Sequence, residues 1–419
     1  MGTLWKIAWR NVLRNKRRTA ITAIVMTVGI GLFIMMDSML VGMDRLTLDN
    51  MVDYTESLIK IRTPQYIENL QGTPLEFGIP NPEAAMQAVL ASDSRVSAVA
   101  PRAHFVANVS NYEDSLPVLA TIVDPKRDGK VLHLPEAIVE GSWLQPKEAG
   151  TIVMGVGLAA QMGLGVGDYI IVSASTVYDN INAEEYRIGG LISCAMPDIN
   201  NGGLYMSFAD ADRLLGTEGF VSEILVASER MPNIKTMLGS SEQMALTMRA
   251  ALPGLKVDPL GELARDYLAM RAMKGKAGYF MILVVLLIAG VGIVNTILMS
   301  VYARIREIGV LKAYGMSPKE IKGLFTLEGT IVGLLGSAAG TLFGVVLVWL
   351  MATKGISVAS MIGDLDMGGL PLNDTLYGEW NPVTMVIGFI FGVLVSFIAA
   401  RIPAKRAATM EVTDALRFA

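Results

Sequence analysis

Residues 20–40 read AITAIVMTVGIGLFIMMDSML, with Asp37 as their one charged side chain. A bilayer core about 30 Å thick is crossed by about 20 apolar helical residues, so this stretch is long enough to span it. Three more stretches qualify: Tyr279–Val301, Thr326–Met351 and Val383–Ile402. No such run occurs between Gly42 and Gly275. The pattern predicts a membrane α-helical protein with four transmembrane helices, one before and three after a large extramembrane domain.

Composition agrees with this. Of the 419 residues 52% are hydrophobic and 18% charged, where soluble domains carry about 25% charged residues. The net charge of -4 gives no electrostatic reason to expect nucleic acid. One cysteine, Cys194, excludes an intramolecular disulfide and reads as a small buried hydrophobe. His104 and His133 lie in different segments without carboxylate or cysteine neighbours at ligand spacing, so no metal site is expected.

Positive charge sets the orientation. Lys6, Arg10, Arg14, Lys16, Arg17 and Arg18 precede the first span. Arg304, Arg306, Lys312, Lys319 and Lys322 lie between spans two and three, and Arg401, Lys405, Arg406 and Arg417 follow span four. The loop between spans three and four has Lys354 against Asp364, Asp366, Asp374 and Glu379. Both termini and the basic loop are expected in the cytoplasm, and the large domain and the acidic loop outside. The first span exceeds the roughly 7–15 apolar residues of a signal peptide and no small-x-small cleavage site follows, so it reads as a retained anchor.

The expected division is residues 1–43 (an interfacial helix and span one), 44–275 (an α+β domain with two subdomains) and 276–419 (spans two to four). Within the outer domain, Ser57–Arg62, Arg95–Ser110, Leu116–Val123, Thr151–Met154 and Tyr169–Val172 read as strands. Val156–Met162 reads as helix, Gly163–Asp168 as a turn, and Phe208–Leu215 as a helix capped by Ser207 and ended by Gly216. The glycines near Gly163 lack the GK[ST] ending of a phosphate loop. No Walker motif, GxSxG elbow or HExxH motif occurs in the chain. If ATP is used, another polypeptide hydrolyses it.

Two segments stand out on the cytoplasmic side. In the first eighteen residues Trp5, Ala8, Trp9 and Val12 recur at helical spacing beside a basic stripe, the pattern of a helix lying at the membrane surface. Residues 303–322, ARIREIGVLKAYGMSPKEIK, place Ile305, Ile308 and Leu311 on one face of a short helix that Gly315 would stop. Ser317, Pro318 and Glu320 then form a capping box for a helix continuing into span three. This rigid elbow reads as a docking surface. Gly329, Gly333, Gly336, Gly340 and Gly344 in span three, with Gly388 and Gly392 in span four, fit close helix packing, either within one chain or between subunits. Met35, Met36, Met39 and Met43 at the outer end of span one, with Met270 and Met273 before span two, suit either ordinary packing or a surface for a hydrophobic substrate.

These segments together resemble the permease subunits of ABC transporters of the MacB and LolC/LolE type. The resemblance rests on Trp5–Thr19 (WKIAWRNVLRNKRRT), the one-plus-three layout, Gly157–Asp168, Arg306–Ser317 (REIGVLKAYGMS) with Glu328 at the start of span three, Pro403-x-x-Arg406-Ala-Ala, and Asp414–Arg417. It implies that the elbow at 303–317 is a coupling helix seated in an ATPase groove, through Arg304, Arg306, Glu307, Ile308, Gly309, Leu311, Lys312, Gly315, Met316 and Ser317. It implies a multi-pass permease of the bacterial inner membrane that works as a dimer, with itself or a sister permease, beside two copies of an ABC ATPase that binds ATP and Mg. This chain would bind no cofactor and have no catalytic residue. Helix motion would drive the periplasmic domain to act on substrate at the outer face, where Met35, Met36, Met39, Met43, Met270 and Met273 would bind it. MacB proteins usually carry a fused N-terminal ATPase, whereas this chain begins at the interfacial helix. That favours extraction of lipoproteins for transfer to a periplasmic carrier. The alternatives are MacB-like export of peptides or drugs, or FtsX-like signalling to cell-wall hydrolases.

Overall fold

The computed structural model describes residues 2–14, 16–69, 75–146, 148–357 and 375–410. Asp364, Asp366 and Asp374 of the acidic loop, and the Asp414–Arg417 motif, lie outside the described residues. The chain divides into two compact units, one of residues 1–44, 270–356 and 375–419, the other of residues 45–269 and 357–374.

In chain order the helices are α1 (Gly2–Arg14), α2 (Lys16–Asn50), α3 (Pro64–Glu68), α4 (Pro82–Ser92), α5 (Val156–Met162), α6 (Pro197–Gly202), α7 (Phe208–Leu215), α8 (Ile234–Ala251), α9 (Leu260–Leu263), α10 (Arg265–Tyr302), α11 (Ile305–Ala313), α12 (Pro318–Lys354) and α13 (Pro382–Thr409). The strands are β1 (Ile59–Arg62), β2 (Val96–Ser110), β3 (Ser115–Val123), β4 (Ile138–Gly141), β5 (Thr151–Gly155), β6 (Tyr169–Ser175), β7 (Ile181–Ile192), β8 (Leu204–Ser207), β9 (Glu223–Ser228) and β10 (Lys256–Pro259), with a short pair, β11 (Ile356–Ser357) and β12 (Thr375–Leu376).

Among the described residues three helices are long and apolar enough to cross a membrane: Thr19–Thr55, Pro318–Lys354 and Pro382–Thr409. The second expected span lies within α10, a continuous helix of 38 residues, of which Gly290–Tyr302 forms an apolar segment. At about 1.5 Å per residue, α2 and α10 each exceed the length a bilayer requires.

Span three is held by its glycines, and they pack within the chain. A side chain at Gly329 or Gly333 would collide with Ala400 or Ser396 of α13. On the other face of α12, a Cβ at Gly336, Gly340 or Gly344 would lie 2.9 Å from Met26, 2.9 Å from Ile30 or 2.8 Å from Ile34 of α2. Gly392 returns the contact from α13, where any side chain would strike Ser337. Lipid tails are as apolar as leucine, so close backbone approach and the dispersion it permits supply much of the attraction between such helices. Thr22 and Thr296 add a hydroxyl–hydroxyl bond of 2.7 Å between α2 and α10.

The second unit is an α+β domain on one mixed sheet, in the order β10-β1-β9-β2-β3-β8-β5-β7-β4, with β6 pairing β2 and β7. Most pairs are antiparallel; β3–β8 and β5–β7 are parallel. Two subdomains were expected, but the sheet is continuous because β2 serves both halves. Its residues Val96–Arg102 pair with β9, while Arg102–Ser110 pair with β3. Separate apolar cores form along it. One holds Leu58, Ile61, Val89, Met244 and Met248, and another Phe105, Ile122, Leu158, Tyr186 and Leu214. The local expectations hold at several turns. Ser207 accepts a hydrogen bond from the Asp210 N–H at 3.1 Å, and Gly216 closes α7 with φ of 71°.

Candidate coupling site

Between α10 and α12 the chain forms the expected elbow. Helix α11 ends at Ala313, and Gly315 takes φ of 92°, a conformation that glycine adopts without steric cost. The Ser317 hydroxyl accepts from the Glu320 N–H at 3.3 Å and the Glu320 carboxylate accepts from the Ser317 N–H at 2.8 Å. This is the reciprocal capping box, with Pro318 in the first turn.

The elbow sits on a chain of charged hydrogen bonds. Arg304 donates through Nη1 to Glu328 of α12 at 2.9 Å and through Nε to Glu307 at 2.8 Å. Its guanidinium also lies over the Phe325 ring, 5.5 Å from the centroid. Glu328 accepts further bonds from Asn11 of α1 at 2.6 Å and from Ser300 of α10 at 3.4 Å. Glu307 accepts from Arg14 of α1 at 2.9 Å. The Arg304 and Arg14 guanidiniums bonded to Glu307 hold its carboxyl below the usual range. Four helices, α1, α10, α11 and α12, are thereby tied at one place. Arg304 and Glu328 are buried at 6% and 3% exposure, and buried charges persist only when paired and hydrogen-bonded, as these are.

The ten expected coupling residues divide sharply in this setting. Ile308 is buried, and with it Ile305 and Gly309, so this face of α11 turns inward against the helices. Arg304 is spent on Glu328 and Glu307. Lys312 donates to the carbonyl oxygens of Ala408, at 2.9 Å, and Met410, so it fastens the end of α13. Leu311, Met316 and Ser317 are half-buried. Arg306, Glu307 and Gly315 are exposed. The outward face also carries two residues the sequence analysis did not single out, Val310 at 44% exposure and Tyr314 at 88%. A signal for them was present. Once Ile305 and Ile308 are assigned inward, the helical period puts 306, 310 and 314 opposite. Asn11 and Arg14 belong to the interfacial segment, and nothing in their spacing signals that they reach Glu328 and Glu307.

At the other end of the same unit, Met36, Met43, Met270 and Met273 are exposed, while Met35 and Met39 are half-buried. The Arg271 guanidinium bonds Asp44 at 2.6 Å and joins α2 to α10 at the level of Met43 and Met270. Of the six methionines, only Met43 and Met270 adjoin this bond in sequence. Among the described residues no group of three or more His, Cys, Asp or Glu is placed to hold a metal.

A family model of the MacB-like periplasmic core domain matches residues 19–250, more than half of the chain, and one of the FtsX-like permease C-terminal region matches residues 279–412. The chain belongs to the ABC transporter permeases of the MacB and LolC/LolE type. Its relatives include the lipoprotein-releasing system transmembrane protein LolC of Xylella fastidiosa, 24% identical over 343 residues that cover 79% of this chain and 80% of the relative. They include an uncharacterized ABC transporter permease of Methanocaldococcus jannaschii, 26% identical over 67% of this chain and 65% of the relative. The lipoprotein-releasing system transmembrane protein LolE of Haemophilus influenzae is 22% identical over 78% of this chain and 79% of its own. Membership makes the chain an inner-membrane permease with a periplasmic-type domain, partnered with an ABC ATPase.

Proposed function

We propose that this chain is the non-catalytic permease subunit of a transporter that extracts lipoproteins from the outer face of the inner membrane and passes them to a periplasmic carrier. The carrying observation is the elbow. A short helix presents Arg306, Val310 and Tyr314 outward while Arg304, Glu328, Glu307 and Arg14 fix its base to three neighbouring helices. Tyrosine and arginine at a protruding, rigid site are the residue types that dominate protein interfaces. A separate ATPase docks here, binds ATP and Mg, and its closure moves α10 and α12 through the Arg304–Glu328 bond. Helix α10 supplies the fourth span. Both termini and the elbow face the cytoplasm, the sheet domain faces the periplasm, and two permeases, identical or sister chains, pair with two ATPase copies. Residues 1–43 and 276–419 act as the membrane part, and residues 44–275 as the driven domain.

The lipoprotein substrate is supported by the LolC and LolE relatives and by the methionine-bearing outer ends of α2 and α10. Flexible, polarizable side chains suit acyl chains of varied length. The test is native purification of the tagged chain in mild detergent with mass spectrometry of what remains bound. An ATPase with acylated lipoprotein is the expected result, and Met36→Asp should remove the lipoprotein while the ATPase stays. An ATPase whose turnover is stimulated by soluble peptide or drug, but not by lipoprotein, overturns the substrate and leaves the architecture. Chain-forming cells with normal lipoprotein sorting would point to signalling.

A further inference from the structure

Helix α1 has a second face that the coupling site does not use. Its inward face is occupied, since Ala8 and Val12 are buried against Leu324, Ile331 and Val332 of α12. On the outward side Trp5 and Trp9, one turn apart, remain 46% and 38% exposed, and Lys6 and Arg10 repeat the same spacing beside them. These four side chains line an open cleft of about 540 Å³. Two walls are indole rings, which settle where hydrocarbon meets headgroups. The other two are cations.

The charge around the cleft is one-sided. No Asp or Glu occurs before Asp37, while Lys6, Arg10, Arg14, Lys16, Arg17 and Arg18 all do. Arg14 is exposed and paired with Glu307. Among the described residues Lys6 and Arg10 have no acidic partner. A phosphodiester on a lipid fits both requirements at once, an anion for the two cations and a glycerol–acyl region for the two indoles.

We propose that the Trp5–Lys6–Trp9–Arg10 cleft binds the headgroup of an anionic phospholipid, and that its occupancy steadies the coupling elbow. The second half follows from connectivity within this unit. Asn11 and Arg14, one and four residues beyond Arg10, are the donors from α1 to Glu328 and Glu307. A helix anchored by lipid on one face holds those two donors in place on the other. Bilayer charge thereby sets how firmly the elbow is fixed, whichever substrate the transporter moves.

The experiment uses the full chain in phosphatidylcholine vesicles containing either brominated phosphatidylglycerol or brominated phosphatidylcholine at equal mole fraction. Quenching of Trp5 and Trp9 is isolated by subtracting a Trp5→Phe/Trp9→Phe variant. The expected result is that half-maximal quenching needs at least threefold less brominated phosphatidylglycerol than brominated phosphatidylcholine, and that Lys6→Gln/Arg10→Gln removes the preference without loss of helical circular dichroism. Equal quenching by the two lipids, or a preference unchanged in the double variant, overturns the site. For the elbow, spin labels at Leu13→Cys and Val310→Cys, both exposed positions, report the distance between α1 and α11. The distribution should be narrow with phosphatidylglycerol and broad in phosphatidylcholine alone. Identical distributions overturn the transmission to the elbow. Neither readout requires the ATPase or a substrate, so failure here is separate from failure of the proposed transport function.

Discussion

Replacing Arg304 and Glu328 by methionine, singly and together, tests the bond on which the elbow rests. Arg304→Met leaves Glu328, at 3% exposure, with Asn11 at 2.6 Å and Ser300 at 3.4 Å as its partners. Glu328→Met leaves Arg304, at 6% exposure, with Glu307 at 2.8 Å. Removing one member of a buried ion pair costs about 3–5 kcal/mol, because the survivor is desolvated without its counter-charge. Each survivor here keeps one good polar partner, so the lower end applies, about 3 kcal/mol or roughly a hundredfold in an equilibrium constant. Methionine approximates the volume of either side chain, and a buried pair exchanged for apolar residues is often near neutral. The double variant should therefore lose no more than about 2 kcal/mol, against about 6 if the singles added. Reversible unfolding of the full chain in SDS measures all three differences. A double variant that loses the sum of the singles would show the two residues to be uncoupled, since independent sites add to within about 0.5 kcal/mol.

At the surface of the elbow, Tyr314→Ala should weaken ATPase association at least tenfold in a titration of the detergent-solubilised chain, with its unfolding midpoint unchanged. Gly340→Val should destabilise the helix bundle by about 1–3 kcal/mol through overpacking, seen as a lower SDS midpoint, because a Cβ there stands 2.9 Å from Ile30. In the sheet domain Glu223 is buried, which opposes its charge, but Lys60, His104 and Arg102 around it hold its carboxyl well below the usual 4.5. A depressed acid contributes stability that is present above its unfolded value and lost as pH falls towards its folded one. Glu223→Gln should therefore lower the thermal midpoint at pH 7, followed by intrinsic fluorescence, with the gap to the parent chain narrowing below about pH 4.5.

The features legible in the sequence were those with local causes. The capping box at Ser317–Glu320, the stop at Gly315 and the helix Phe208–Leu215 depend on residues three or four apart, and each stands where the spacing put it. The apolar run of residues 20–40 gave a helix, though α2 continues to Asn50 because nothing at the expected boundary breaks it. The glycine stripe of span three was ambiguous by nature. GxxxG spacing states that a backbone approaches closely, not whose, and only the placement of Met26, Ile30, Ile34 and Ser396 shows that the neighbours belong to the same chain. The elbow is legible in the sequence, but which of its faces turns inward is not. Ile305 and Ile308 mark an apolar stripe, which reads as outward for docking or inward for packing until α12 and α13 are in place. The Asn11–Glu328 and Arg14–Glu307 bonds join residues 317 and 293 positions apart, beyond the reach of any periodicity.

The central claim, that an ABC ATPase docks on the outward face of the elbow, is met most directly by placing a photo-crosslinking amino acid at Tyr314 in native membranes and identifying the adduct by mass spectrometry. An ABC ATPase is the expected dominant product, lost when the crosslinker is moved to the buried position Ile308. Adducts with lipid or unrelated proteins alone, in cells that make the ATPase, would contradict it.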